Sequence, residues 1–245
     1  MIFNLDEPNR FKIFLIITAL VVAGGGVLAW QIYRSSPSTS QQTSNQSVTS
    51  GVDENLITKV EVNLTSEQTK QTQANIDKLK QEIKDGATKD GYNWAQAYLQ
   101  LGQQYETLGD LANARRAYQS AAASNPFISV PWGNLGSLYI KMGNNGLAEQ
   151  AFNKALQIEP KMIINWAKYL DFYFNQLHAN QSKMRELYDQ AFLATDNNLD
   201  LHHAFANYLL SVDNKADAIT QLQFILSKNS KDTAAQQQLK ELTGK

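Results

Sequence analysis

The chain matches itself at one fixed offset. Placing Gly102 on Gly136, 34 residues apart, also brings Tyr105 onto Tyr139, Gly109 onto Gly143, Ala114 onto Ala148, Tyr118 onto Phe152, Ala121 onto Ala155 and Pro126 onto Pro160. A unit of this length has room for two helices and cannot bury its own apolar face, so successive units must stack. The coinciding residue types fit that demand. Glycine and alanine let helices approach closely, aromatics fill the space between units, Gly109 and Gly143 turn the chain, and each proline ends a helix. An all-α chain is expected.

The same positions resemble the tetratricopeptide repeat family, whose unit carries a large residue, Leu-Gly, Tyr, Ala, an aromatic, Ala and Pro in that order. The first repeat, about 95–128, supplies Tyr98, Leu101, Gly102, Tyr105, Ala114, Tyr118, Ala121 and Pro126. The second, 129–162, supplies Trp132, Leu135, Gly136, Tyr139, Ala148, Phe152, Ala155 and Pro160. The third, 163–198, keeps Trp166, Tyr173, Tyr188 and Ala191, but it has Leu170 at the glycine position and needs two extra residues near Leu177 to Asn180. The fourth, 199–232, keeps Ala206, Ala218 and Leu222, with Leu209 in place of Tyr, and a closing helix over 233–242 would cover the exposed end with Leu239 and Leu242. The resemblance implies a right-handed α-solenoid of about four helix pairs with flanking helices, in a repeat domain spanning 93–245.

Ahead of the repeats the composition changes twice. Residues 13–33, from Ile13 to Tyr33, hold no charge, match a hydrocarbon core of about 30 Å, and are flanked by Arg10 and Lys12 on one side and by Trp30 and Tyr33 on the other. They read as one transmembrane helix after a flank of residues 1–12. A cleaved signal peptide is the competing reading, but the run is long and its only small-residue site, Val21 with Ala23, would leave an apolar new terminus. The flanking charges place the N-terminus inside and the repeat domain outside the cytoplasm. Residues 34–63 are rich in Ser, Thr and Gln and poor in apolar side chains, which predicts a disordered linker. From 64 to 86, Ile76, Leu79 and Ile83 recur at helical spacing behind a cap at Thr65 or Ser66, with Gly86 as a stop. A dimerising coiled coil would need three or four heptads, so a leading helix packed on the first repeat is expected. That segment and the small residues around Gly24 to Gly26 are the only hints of a homo-oligomer.

Bulk charge and motif searches exclude several functions. Lys and Arg total 22 against 23 Asp and Glu, so nothing draws the chain to nucleic acid. The absence of cysteine removes thiolate catalysis and Cys-based metal sites. None of the usual hydrolase, phosphate-loop or metalloprotease spacings occurs, so no catalytic residue, metal or cofactor is expected and the chain is read as a non-enzyme. His202 and His203 point about 100° apart on a helix and suit packing or solvent, and Asp196 to Asp200 reads as a helix cap rather than a calcium loop.

Carrying over the family's groove positions selects Leu99, Gln103, Asn134, Ser137, Ile140, Lys168, Asp171, Phe174 and Asn207, beside Gln96, Glu106, Gly133, Lys141, Ala167 and His203. Some relatives hold a C-terminal carboxylate in a five-residue clamp. Asn134 and Lys168 match it, whereas Leu99, Gln103 and Ile164 do not, so a ligand of that kind is not expected. The resemblance implies a membrane-held scaffold that binds a segment of a partner protein in this groove, with the lipid bilayer met through 13–33. The alternative is a permanent structural subunit of a membrane complex, with the groove empty.

Overall fold

A computed structural model describes residues 56–86 and 91–244. The expected transmembrane helix and the linker up to residue 55 lie outside the described residues, and no helix among those described is long and apolar enough to cross a membrane. Among them the chain forms ten α-helices and one π-helical segment, with no strand. They run α1 (Ser66–Gly86), α2 (Trp94–Thr107), α3 (Leu111–Ser124), α4 (Val130–Lys141), α5 (Asn145–Ile158), α6 (Ile163–Asp171), the π segment Phe172–Gln176, α7 (Gln181–Ala194), α8 (Leu199–Ser211), α9 (Lys215–Lys228) and α10 (Thr233–Thr243). Helices α2/α3, α4/α5, α6/α7 and α8/α9 are the four pairs, α1 leads and α10 closes.

The boundaries follow from capping chemistry. Asp110, Asn144, Asn180 and Asn214, each just before a second helix, accept a hydrogen bond from the backbone N–H three residues on. Each such cap stabilises its helix by about 1 kcal/mol. Thr65 and Gln68 cap α1 reciprocally: the Gln68 N–H donates to Thr65 Oγ1 at 3.1 Å and the Thr65 N–H donates to Gln68 Oε1 at 2.8 Å. Asn198 caps α8 through the N–H groups of Asp200 and Leu201, so the acidic run there is a helix start.

Inside the first two pairs, the signature residues pack as a lock. A Cβ at Gly102 would lie 2.5 Å from the ring of Tyr118, and one at Gly136 would overlap Phe152. The aromatic of each second helix therefore lies flat on the glycine of its own first helix, within the pair rather than only between pairs. Tyr118, Phe152, Leu135 and Leu138 are at most 1% exposed at the centre of one continuous apolar core.

The third pair departs from this pattern. Leu170, itself 3% exposed, stands at the glycine position. Tyr188 stacks instead toward the next pair, 4.5 Å from Phe205 and 5.9 Å from Tyr208. The extra residues expected near Leu177 are absorbed as a π segment followed by a turn with His178 at φ 49°.

One expectation is corrected. The linker does not run to residue 63, because residues 56–65 form an extended strap laid across the turns of the first two pairs. The Ile57 N–H donates to Met142 O at 3.1 Å, the Val60 N–H donates to Gly109 O at 3.0 Å, and the Ala112 N–H donates to Thr58 O at 3.0 Å. Leu56 and Val60 pack against the main core. Gly109 serves twice here: its φ of +73° suits glycine, and a Cβ would overlap the Val60 carbonyl.

A candidate partner-binding groove

The face formed by α2, α4, α6 and α8 has a polar half and an apolar half. In the polar half, Glu106 on α2 accepts hydrogen bonds from Tyr118 Oη at 2.8 Å and from Lys141 Nζ at 2.6 Å. Burial, with the nearby Glu106 carboxylate, pushes the Tyr118 hydroxyl far above the usual phenol range. Lys168 Nζ donates to Asn134 Oδ1 at 2.7 Å across the α4/α6 seam. Burial lowers the Lys168 pKa, opposed by the Glu106 charge. Beneath this seam Ser129 and Asn165, both at most 1% exposed, are joined by an Asn165 Nδ2 to Ser129 Oγ hydrogen bond of 2.7 Å, and Glu159 accepts from the Ser129 N–H at 2.7 Å. Asn165 reaches this position because Gly133 opposite has no side chain to block it.

The apolar half is a cavity of about 390 Å³ between the third and fourth pairs. Its wall includes Leu170 and Phe174 from the third pair, Met184 and Tyr188 from α7, and Leu201, Ala204 and Tyr208 from α8, with Asp171, Asn175, Asn207 and Ser211 as its polar members. Phe174 is 37% exposed and meets Tyr208 edge-on at 5.4 Å. Volume and lining fall in the range of ordinary ligand pockets.

The sequence matches the family described as PRP39 N-terminal HAT repeat over residues 77–236. The chain belongs to the HAT repeat family. Repeats of this HAT/TPR-like kind are in general scaffolds for protein–protein interaction. No curated protein matches. Among solved structures, the chain is similar to a thermophilic TPR protein of Thermus thermophilus, at 16% identity and TM-score 0.47, over 71% of this chain and 91% of that one. It is also similar to a tetratricopeptide repeat protein from Parabacteroides merdae ATCC 43184, at 17% identity and TM-score 0.46, over 72% and 70% of the two chains. A MamA protein gives 15% identity and TM-score 0.48, over 69% and 88%.

The residues singled out in this HAT-repeat chain divide between the two halves. Asn134, Ser137 and Lys168 lie in the polar half, where the Ser137 hydroxyl turns back onto Gly133 O at 3.2 Å. Asp171, Phe174 and Asn207 line the cavity. Asn207 is also held by the closing helix, its Oδ1 accepting from Gln238 Nε2 at 2.9 Å. Gln103 is exposed, and Ile140 is half-buried against the core rather than open beside Phe174. Leu99 is not a groove residue. It is 7% exposed and belongs to the main core, because an isobutyl group on the inner face of α2 is drawn into the seam with α4.

Sequence reasoning missed Leu170, Met184, Tyr188 and Tyr208, which build the cavity. The signal was present in the departure of Leu170 from the glycine position, which displaces the aromatic that would otherwise close the pair. Among the histidines, His202 is 5% exposed, stacked 3.9 Å from Phe192 and tilted against Phe224 at 4.3 Å, with Nδ1 2.8 Å from Gln221 Oε1. Its pKa is lowered by burial, which the Gln221 hydrogen bond partly opposes. His203 turns instead to Asp232, 3.1 Å away. Among the described residues no group of His, Asp or Glu is placed to hold a metal ion.

Proposed function

We propose that this HAT-repeat protein is a membrane-held adaptor that docks a segment of a partner protein on the face formed by its first helices, with the cavity beside Phe174 as the anchor point. The observation that carries this reading is the cavity itself: a half-exposed aromatic and a largely apolar wall at the seam between the two repeats that depart from the signature. Aromatic anchors seated in such pockets typically contribute more than about 2 kcal/mol to an interface, and rim amides much less. Phe174→Ala should therefore abolish capture of crosslinked partners in native membranes, while Asn207→Ala leaves it nearly unchanged. Both variants must melt like the wild type, and a folded Phe174→Ala that captures normally would sink the proposal.

The anchoring segment is Ile13 to Tyr33, with the repeats outside the cytoplasm. Because the chain has no cysteine, a single cysteine at Ser44 reports the orientation, and on intact cells it should react with an impermeant thiol reagent. Protection at that site would reverse the topology. The second reading, a permanent subunit of a membrane complex, draws on a different surface. Phe127 and Leu193 are 83% and 84% exposed near the loops between pairs, away from the cavity lining. If Phe127→Ser with Leu193→Ser releases the protein from its complex while Phe174→Ala does not, that reading replaces the first.

A further inference from the structure

The cavity holds polar groups that its own walls leave unsatisfied. Tyr188 and Tyr208 are 5% and 8% exposed, and neither hydroxyl has a hydrogen-bond partner among the described residues. Their rings are buried while the hydroxyl oxygens still reach solvent, so each is free to pair with a ligand that enters the cavity. Asp171 on the same wall accepts only from Asn175 Nδ2, at 2.6 Å, and forms no ion pair among the described residues. Lys168, one turn back on α6, is turned away to Asn134, and Arg185 is engaged with Asp217. The carboxylate is felt inside the cavity: burial pushes up the Tyr188 hydroxyl, and the neighbouring Tyr208 and Asp171 push it further in the same direction.

A carboxylate, two phenols and a phenyl ring around one apolar pocket match a cation on an aliphatic stem. Phe174 and the side chains of Leu201 and Met184 give such a stem its apolar contact. Asp171 and a phenol oxygen give the head its acceptors, and the ring faces add a cation–π attraction. An acidic segment would meet Asp171 with like charge, and a wholly apolar one would leave the carboxylate and phenols unpaired.

We infer that the cavity between the third and fourth pairs takes an arginine or lysine side chain of a partner protein, held by Asp171 and Tyr188 and covered by Phe174. This inference rests on the docking proposed above and adds the chemical class of the docked segment.

The test uses the full-length chain in detergent to select phage-displayed random 12-residue peptides, followed by measurement of the tightest synthetic peptide by fluorescence anisotropy. Enriched peptides should carry Arg or Lys. Replacing that arginine by citrulline, or lysine by norleucine, should weaken binding at least about 10-fold on the wild type and less than about 2-fold on Asp171→Asn. Tyr188→Phe should retain the fold, checked by circular dichroism, and weaken the basic peptide several-fold. Uncharged or acidic peptides that bind and are lost on Phe174→Ala would overturn the cation assignment while leaving the docking site in place. Peptides unaffected by Phe174→Ala, or no enrichment over the empty support, would overturn both.

Discussion

The second and third pairs of this array are adjacent in sequence and in space, yet one is closed and the other open. In α4/α5, Gly136 lets the Phe152 ring lie against the helix backbone, and the ring is 1% exposed. In α6/α7 the corresponding residue is Leu170, so Tyr188 turns to the next pair and Phe174 is left at the edge of a cavity. One side chain more than glycine thus changes a sealed pair into one with an open seam. The lesson is that conformity to a repeat makes structure, and departure from it is where a site can form.

That contrast can be broken most directly by truncating the two phenylalanines. Phe152→Ala should destabilise the domain by about 3–5 kcal/mol and melt the neighbouring pairs with it. Phe174→Ala, half-exposed and with one edge-on neighbour, should cost about 1 kcal/mol. Chemical denaturation of both variants checks this, and equal losses would mean that the third pair is packed as tightly as the second.

A finer probe adds one carbon. Gly136→Ala places a Cβ against the Phe152 ring and should cost about 1–3 kcal/mol, despite alanine's better helix propensity, because the ring must shift. Combining it with Phe152→Leu should recover part of the loss. If Gly136→Ala were neutral, the glycine would not be what closes the pair.

The strap supplies the next comparison, since it covers the turns of the complete pairs alone. Gly109→Ala should cost about 1–2 kcal/mol from the left-handed backbone, and by colliding with Val60 it should also free the strap. Limited proteolysis should then cut within 57–62 in the variant and spare that segment in the wild type.

The smallest effect is a pH dependence at the fourth pair. Because burial lowers the folded-state pKa of His202 below 6.5, the unfolded chain takes up a proton that the folded chain refuses. Stability should be fully present above about pH 6.5 and decline as pH falls through that value toward the folded pKa. Urea midpoints at pH 7.5 and 5.5 should differ more for the wild type than for His202→Phe, which keeps the stack between Phe192 and Phe224.

Much of the fold was legible because its determinants are local. Glycines, prolines and caps act within a few residues, so the offset of Gly102 from Gly136 is enough to place the helix pairs. The leading helix was equally readable from Ile76, which is fully buried, and from Thr65, which caps it. The strap was not, because Leu56, Val60 and Leu64 recur every four residues, which does not point to an extended segment, and its partners, Gly109 and Met142, lie about 50 and 85 residues further along the chain. Nor was the burial of Leu99, which depends on how closely α2 meets α4. Asp171, Phe174 and Asn207 were singled out through the repeat register, but the role of Tyr188 was not, because its signature position ordinarily closes its own pair and here the ring turns to Phe205 of the next.

The strap also has a mechanical side. Its three backbone hydrogen bonds, at Ile57, Thr58 and Val60, follow one another along a single extended segment. A load drawing the preceding chain outward from the array meets them one at a time, as a zip is opened, instead of all together. Because they are loaded in series, α1, with its buried Ile76, is strained only after the last has gone. The strap is therefore built as a fuse, which yields several residues of length under tension before the helices are reached.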